Sequence, residues 1–162
     1  MTATNPAPVQ DVRTRTRPDG NDADVRYLEE ASAALLQIMA VCDAAAGRSA
    51  RHEVRVMARH ALAAQTHQLS DISDCLLAWG RPEATRPRTT DADALVGLQG
   101  RELDHVFAAR LTAYAHASIT SARVEMMVGA SETARPIAER AIHEQDRQLA
   151  ALDLLFPAAV QR

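Results

Sequence analysis

The sequence predicts an all-α protein, a four-helix bundle made of two duplicated helical hairpins. Three observations carry that prediction. Apolar residues recur every three or four positions along four long stretches. No stretch alternates with the period of two that a half-buried strand requires. Two of the stretches, "ALAAQTHQLSDI" and "AIHEQDRQLAAL", set a glutamine among apolar residues at matching places, 80 positions apart (145 − 65).

The elements follow in chain order. Residues 1–22 are rich in Thr, Pro, Asn and Asp, cannot bury much apolar surface, and are expected to be a disordered tail. The bundle domain then spans 23–157, as hairpin one (24–80), a linker (81–92) and hairpin two (93–157). The first helix is expected from about Asp24, with the stripe Leu28, Ala31, Leu35, Met39, Cys42 and Ala46, and an end at Gly47. Ser49 is suited to cap the second helix. Its stripe is Val54, Ala58, Ala61, Leu62, Gln65, Leu69, Ile72 and Leu76, and "WGRP" stops it. In the linker, Thr90 and Asp93 have the form of a capping box. Gly97 and Gly100 split a short lead-in helix from the third long one, which runs from about Arg101 to Val128 on Leu103, Phe107, Leu111, Tyr114, Ser118 and Ala122. Pro136 fits only the first turn of the fourth helix. That helix carries Ala138, Ala141, Ile142, Gln145, Leu149, Leu152 and Phe156.

The second and fourth helices superpose at the offset of 80, with Ala58 on Ala138, Gln65 on Gln145 and Leu69 on Leu149. The stripes of the first and third prefer an offset of about 75, which implies a longer loop in the second hairpin. Gln65 and Gln145 fall at the centre of their stripes, so both are predicted to be buried. An amide left without partners in a core costs about 1–3 kcal/mol. The recurrence therefore implies partners: each other, the Tyr114 hydroxyl or Ser118. They are read as structural buried polar groups that fix helix register.

Composition excludes several functions. Apolar residues make up 47% but aromatics only 3%, so the core must be aliphatic. The net charge of −3 gives no basic excess for a nucleic-acid partner. Arg13, Arg15 and Arg17, and Arg81, Arg86 and Arg88, read as solvated spacers. No apolar run approaches the roughly 20 residues of a membrane span, and no signal-peptide pattern opens the chain. The two distant cysteines, Cys42 and Cys75, read as free thiols in a reducing compartment, so the expected location is cytoplasmic. There is no nucleophile motif, phosphate loop, Cys-x-x-Cys or His-Glu-x-x-His. No catalytic residue, cofactor or enzymatic activity is expected.

Three stretches resemble the ferritin-like bacterial family called domain of unknown function 305. "MARHALAAQTHQLSDISDCLLAWG" is similar to its closing helix, "GRELDHVFAARLTAYAHASI" to its opening helix, and "ARPIAERAIHEQDRQLAAL" to the closing helix again. The likeness covers about residues 24–156. It implies a ferritin-like four-helix bundle and a metal role, copper in particular, through a His pair, nearby Met and the Glu of a Gln-x-x-Glu motif. This sequence departs at those positions. Hairpin one has no histidine pair, hairpin two reads Ala115-His116, and the motif reads Gln65-Thr66-His67-Gln68 and Gln145-Asp146-Arg147-Gln148. Both carboxylates are amides, which removes the anionic ligands a divalent ion needs.

The remaining histidines read as surface. Glu102 with His105, His67 with Asp71 and Asp74, and Glu139 with His143 and Asp146 have chelating spacings but are expected to lie opposite their core stripes. No metal site is therefore expected. The reading is a noncatalytic bundle that lost its metal ligands and acts by self-association as a homodimer or by binding another protein. The alternative is a copper-binding protein using His116 with Met126 or Met127, whose thioethers suit Cu(I).

Overall fold

Asn21 starts the first helix. In the computed structural model, which describes residues 19–82 and 91–157, α1 runs Asp22–Arg48. The Asn21 side chain accepts from the N–H groups of Ala23 and Asp24, and the Asp24 side chain accepts from the Asn21 N–H. That is a capping box closed by Asp instead of Glu. The bundle therefore begins earlier than the sequence suggests. Asp19 and Asn21, assigned to the tail, are bonded into it through Ser131 and Val128. The rest of that tail, residues 1–18, lies outside the described residues.

Gly47 does not end α1; it lies inside the helix, and Ser49 is the C-cap. The helix α2 spans His52–Ala78 with Arg51 at its N-cap. The Ser49 hydroxyl does not cap α2 but accepts from the Arg51 N–H, two residues on. Gly80, at φ +70°, ends α2 as expected. Its N–H donates to the Leu77 carbonyl and the Arg81 N–H to the Leu76 carbonyl, the paired bonds of a Schellman motif.

A 3-10 turn, η1 (Asp91–Leu95), is the lead-in element, and Gly97 (φ +82°) and Gly100 (φ +57°) separate it from α3. The Thr90 half of the expected capping box lies outside the described residues. The helix α3 is Gly100–Val128 and α4 is Ala134–Leu155. No strand occurs among the described residues.

Each hairpin packs on itself, α1 on α2 and α3 on α4, and the hairpins join through α1 on α3 and, less extensively, α2 on α4. The start of α1 meets the end of α3, since Asn21 Nδ2 donates to the Val128 carbonyl. The end of α1 meets the start of α3, where the Ser49 hydroxyl reaches Asp104. So α1 and α3 are antiparallel, and α2 and α3 run the same way. The chain leaves α2 beside the start of α1, where Arg81 pairs with Glu29. It returns at the other end of α1, where Arg48 donates to the Leu95 carbonyl. One long crossover thus connects the hairpins.

Burial corrects the expected offset of 75 between the first and third helices. Asp24 and Asp104, Tyr27 and Phe107, Leu28 and Ala108, Leu35 and Ala115, Cys42 and Ala122, and Ala45 and Glu125 are all buried. Each pair is 80 apart, the offset that also relates α2 to α4. Large residues in α1 are exchanged for alanines in α3, so a match by side-chain size slides to the next large residue.

The helix α1 has an 18-residue window of mean hydropathy 1.2, long and apolar enough by composition to cross a membrane, which the sequence reading did not anticipate. Alanines raise that average. Leu28, Leu35, Ile38, Val41 and Cys42 are buried within the bundle.

The core is divided in two. One cluster, around Phe107, Leu103, Leu111, Val54 and Leu152, fills the η1 end. The other, around Leu28, Leu35, Ile72 and Ile137, fills the opposite end, and Tyr114 packs against both.

Candidate functional site

The polar groups inside a bundle are where its chemistry must lie, since each is costly to bury without a partner. Gln65 and Gln145 are each 1% exposed, as predicted from their stripes. They sit near the midpoints of α2 and α4, between the two apolar clusters. The expected partners are not found: neither amide's oxygen or nitrogen has a hydrogen-bond partner. Gln65 lies beside the Cys42 thiol, while Tyr114 turns to Ser118. The Cys42 thiol beside Gln65 offers an amide little.

Burial pushes the Cys42 thiol up to about 12, against a smaller opposing effect of Gln65. Burial, with the negative charges of Asp19 and Asp24, pushes Cys75 up to about 11. Both stay protonated at neutral pH and neither is an activated nucleophile.

The two ends of the α1–α3 seam carry buried carboxyls. At one end Asp104, 2% exposed, accepts from the Ser49 hydroxyl at 2.6 Å. At the other, Asp24 is fully buried and accepts from the backbone N–H groups of Asn21, of Ala130 at 3.1 Å and of Ser131 at 2.9 Å. Beside it lies Glu125, 1% exposed, neither of whose oxygens meets a donor. The group facing Glu125 is the Asp24 carboxyl. Two acceptors in contact are held only by a proton between them.

The two pKa values part accordingly. Burial opposes the charge on Asp24, but the bonds from Glu125, Asn21, Ser131 and Ala130 outweigh it and lower its pKa. Glu125 is pushed up to about 7, by burial first and then by Asp24, with Arg135 opposing. Burial and the charge of Glu125 also raise Tyr27. Two glycines make room for the pair. A Cβ on Gly129 would clash with the Glu125 carboxyl and carbonyl, and one on Gly20 with the Asp24 carboxyl.

The sequence reading missed Asp24, Glu125 and Asp104. One signal was available: Asp24 and Asp104 are themselves 80 apart (104 − 24), inside otherwise apolar helix faces.

All six histidines are exposed. Glu102 and His105 lie on the surface, as expected, with His105 6.3 Å from the Phe156 ring. His67 and Asp71 do not simply face away from the bundle. With His143, Gln68 and Arg140 they line a groove of about 330 Å³ between α2 and α4, where Arg140 bonds Asp71 at 2.7 Å. Among the described residues no three His, Cys, Asp or Glu side chains come together as a metal site. His116 and Met126 stand ten positions apart on α3, roughly 15 Å along the axis. Within one chain they cannot share an ion.

Solved structures share this fold. A DUF305 fragment from Deinococcus radiodurans superposes with a TM-score of 0.77 at 13% identity, over 85% of this chain and 97% of that one. The resemblance read from three short helical stretches thus extends to the architecture of the whole bundle. A putative secreted DUF305 protein from Streptomyces coelicolor superposes with a TM-score of 0.75 at 16% identity, over 85% and 92%. No protein-family model and no curated protein matches the sequence.

Proposed function

We propose that this chain is a noncatalytic member of the DUF305 proteins that acts by pairing with a second copy of itself. The observation that carries the reading is an exposed apolar stripe on the last turns of α3. Val124 (53% exposed), Met127 (83%) and Val128 (52%) stand at positions i, i+3 and i+4, on one face. Exposed apolar residues gathered on one face favour a protein contact over open water, and a symmetric pair is the commonest way to cover one.

The single long crossover is the connectivity of ferritin-like bundles. With the common offset of 80 it supports an origin by duplication of one hairpin. The amides at Gln68 and Gln148, and the dispersal of the histidines, support loss of the metal role that the resemblance implies. Two buried free cysteines suit a reducing compartment, so the reading places the chain in the cytoplasm.

Sedimentation equilibrium of the untagged protein, with Met127→Glu as the variant, tests the reading. A concentration-dependent dimer that the variant abolishes is the expected result. A monomer at every concentration, or a dimer indifferent to Met127→Glu, contradicts it. Stoichiometric Cu(I) binding lost in His116→Ala would replace it with a metal role.

A further inference from the structure

We propose that Asp24 and Glu125 form a proton-operated latch: a proton held between their side chains fastens the start of α1 to the loop between α3 and α4, and its loss loosens that end of the bundle. The geometry of the seam supports this directly. The Asp24 side chain bonds both the α1 N-cap and the backbone N–H groups of Ala130 and Ser131. Glu125 stands one turn before that loop and its carbonyl accepts from the Gly129 N–H, so it belongs to the same junction. Gly20 and Gly129 leave the space into which the two carboxyls fit.

A proton suits this place better than a metal ion. The Asp24 oxygens are already engaged by three N–H groups. A cation would have to displace them, and among the described residues no third carboxylate, imidazole or thiolate completes its coordination. The proton resides on Glu125, because Asp24 is the acceptor that the backbone stabilises as an anion. The groups around the pair from the packed elements are Tyr27 on α1, Arg135 on α4 and Cys75 on α2, while Asp19, before α1, accepts from the Ser131 hydroxyl. The Arg135 cation only partly offsets the burial of Glu125.

The sign of the pH dependence follows. Glu125 has a folded pKa of about 7 against an ordinary 4.5. Its contribution to stability is complete below the unfolded value and is lost as pH rises through the folded one. Asp24, with a lowered pKa, contributes in the opposite sense, losing its contribution only as pH falls below the ordinary 3.8. Between about pH 5 and 8, then, this end of the bundle weakens as the solution becomes more basic.

The test is urea denaturation of the full chain at pH 5, 6, 7 and 8, beside Glu125→Gln. Subtracting the variant's profile cancels the titrating groups that do not interact with Glu125. The expected result is a wild-type folding constant that falls by up to about 100-fold relative to the variant across the window, the order set by the roughly two pH units between pH 5 and the folded pKa of about 7. Parallel profiles, or a wild type that gains on the variant as pH rises, overturn the proposal. If Glu125→Gln does not fold, amide exchange of Ala130 and Ser131 in the wild type decides, after correction for intrinsic base catalysis. Lower protection at pH 8 than at pH 6 supports the latch, and equal protection overturns it.

Discussion

The two ends of the α1–α3 seam were given the same residue and use it differently. Asp104 faces a serine hydroxyl, which donates to it directly. Asp24, 80 residues earlier, faces a second carboxyl, and position 45, which answers to Glu125 at the other end, is a buried alanine. One end is thus a plain hydrogen bond and the other a junction that depends on a proton. The lesson is that equivalent backbone positions fix where a polar group sits, while its neighbour decides what that group can do.

The largest expected effect comes from removing the aspartates. Asp24→Ala leaves three backbone donors without their acceptor, of which Ser131 is fully buried, and should cost about 3 kcal/mol in urea denaturation. Asp104→Ala removes one hydroxyl bond and should cost about 1–2 kcal/mol. Equal losses would erase the distinction between the ends.

Grafting sharpens it. Ala45→Glu places a second carboxyl at the Asp104 end, where burial and a like charge both oppose ionisation. A loss of about 2–3 kcal/mol at pH 8, shrinking toward pH 5, is expected from denaturation at the two pH values. Equal losses at both would show that position 45 does not answer to position 125.

Gly129→Ala drives a Cβ into the Glu125 carboxyl and carbonyl and should lower stability by about 1–2 kcal/mol. Thermal denaturation of the double change with Glu125→Ala should recover part of that loss, because only the carbonyl contact remains.

The smallest effects belong to the mid-plane, which lies between the ends. Gln65 and Gln145 satisfy no partner. Gln65→Leu and Gln145→Leu should therefore be neutral or stabilising, within about 1 kcal/mol each, and should add. A single change more damaging than the double, measured by denaturation, would mean that the two amides bond each other after all.

Much of this architecture was legible before any coordinates. A three-to-four spacing of apolar residues is a local signal, and all four long helices appear with their ends within a few residues of where caps and glycines put them. Burial of Gln65 and Gln145 was legible for the same reason. Their partners were not, since a stripe gives direction but no neighbour. The register between α1 and α3 was misread because Leu28 and Leu35 answer to Ala108 and Ala115, and size hides the equivalence. Asn21 was hidden in a polar stretch that composition alone assigns to a tail. The Asp24–Glu125 pair was the least legible of all. Its members are 101 positions apart (125 − 24) and meet only because α1 and α3 run antiparallel.

The most direct measurement is a carbon-13 NMR titration of the Glu125 side-chain carboxyl in the intact protein. The proton-dependent junction predicts a midpoint near 7, with Asp24 titrating below the ordinary aspartate value. A Glu125 midpoint near 4.5, that of an ordinary glutamate, would contradict it.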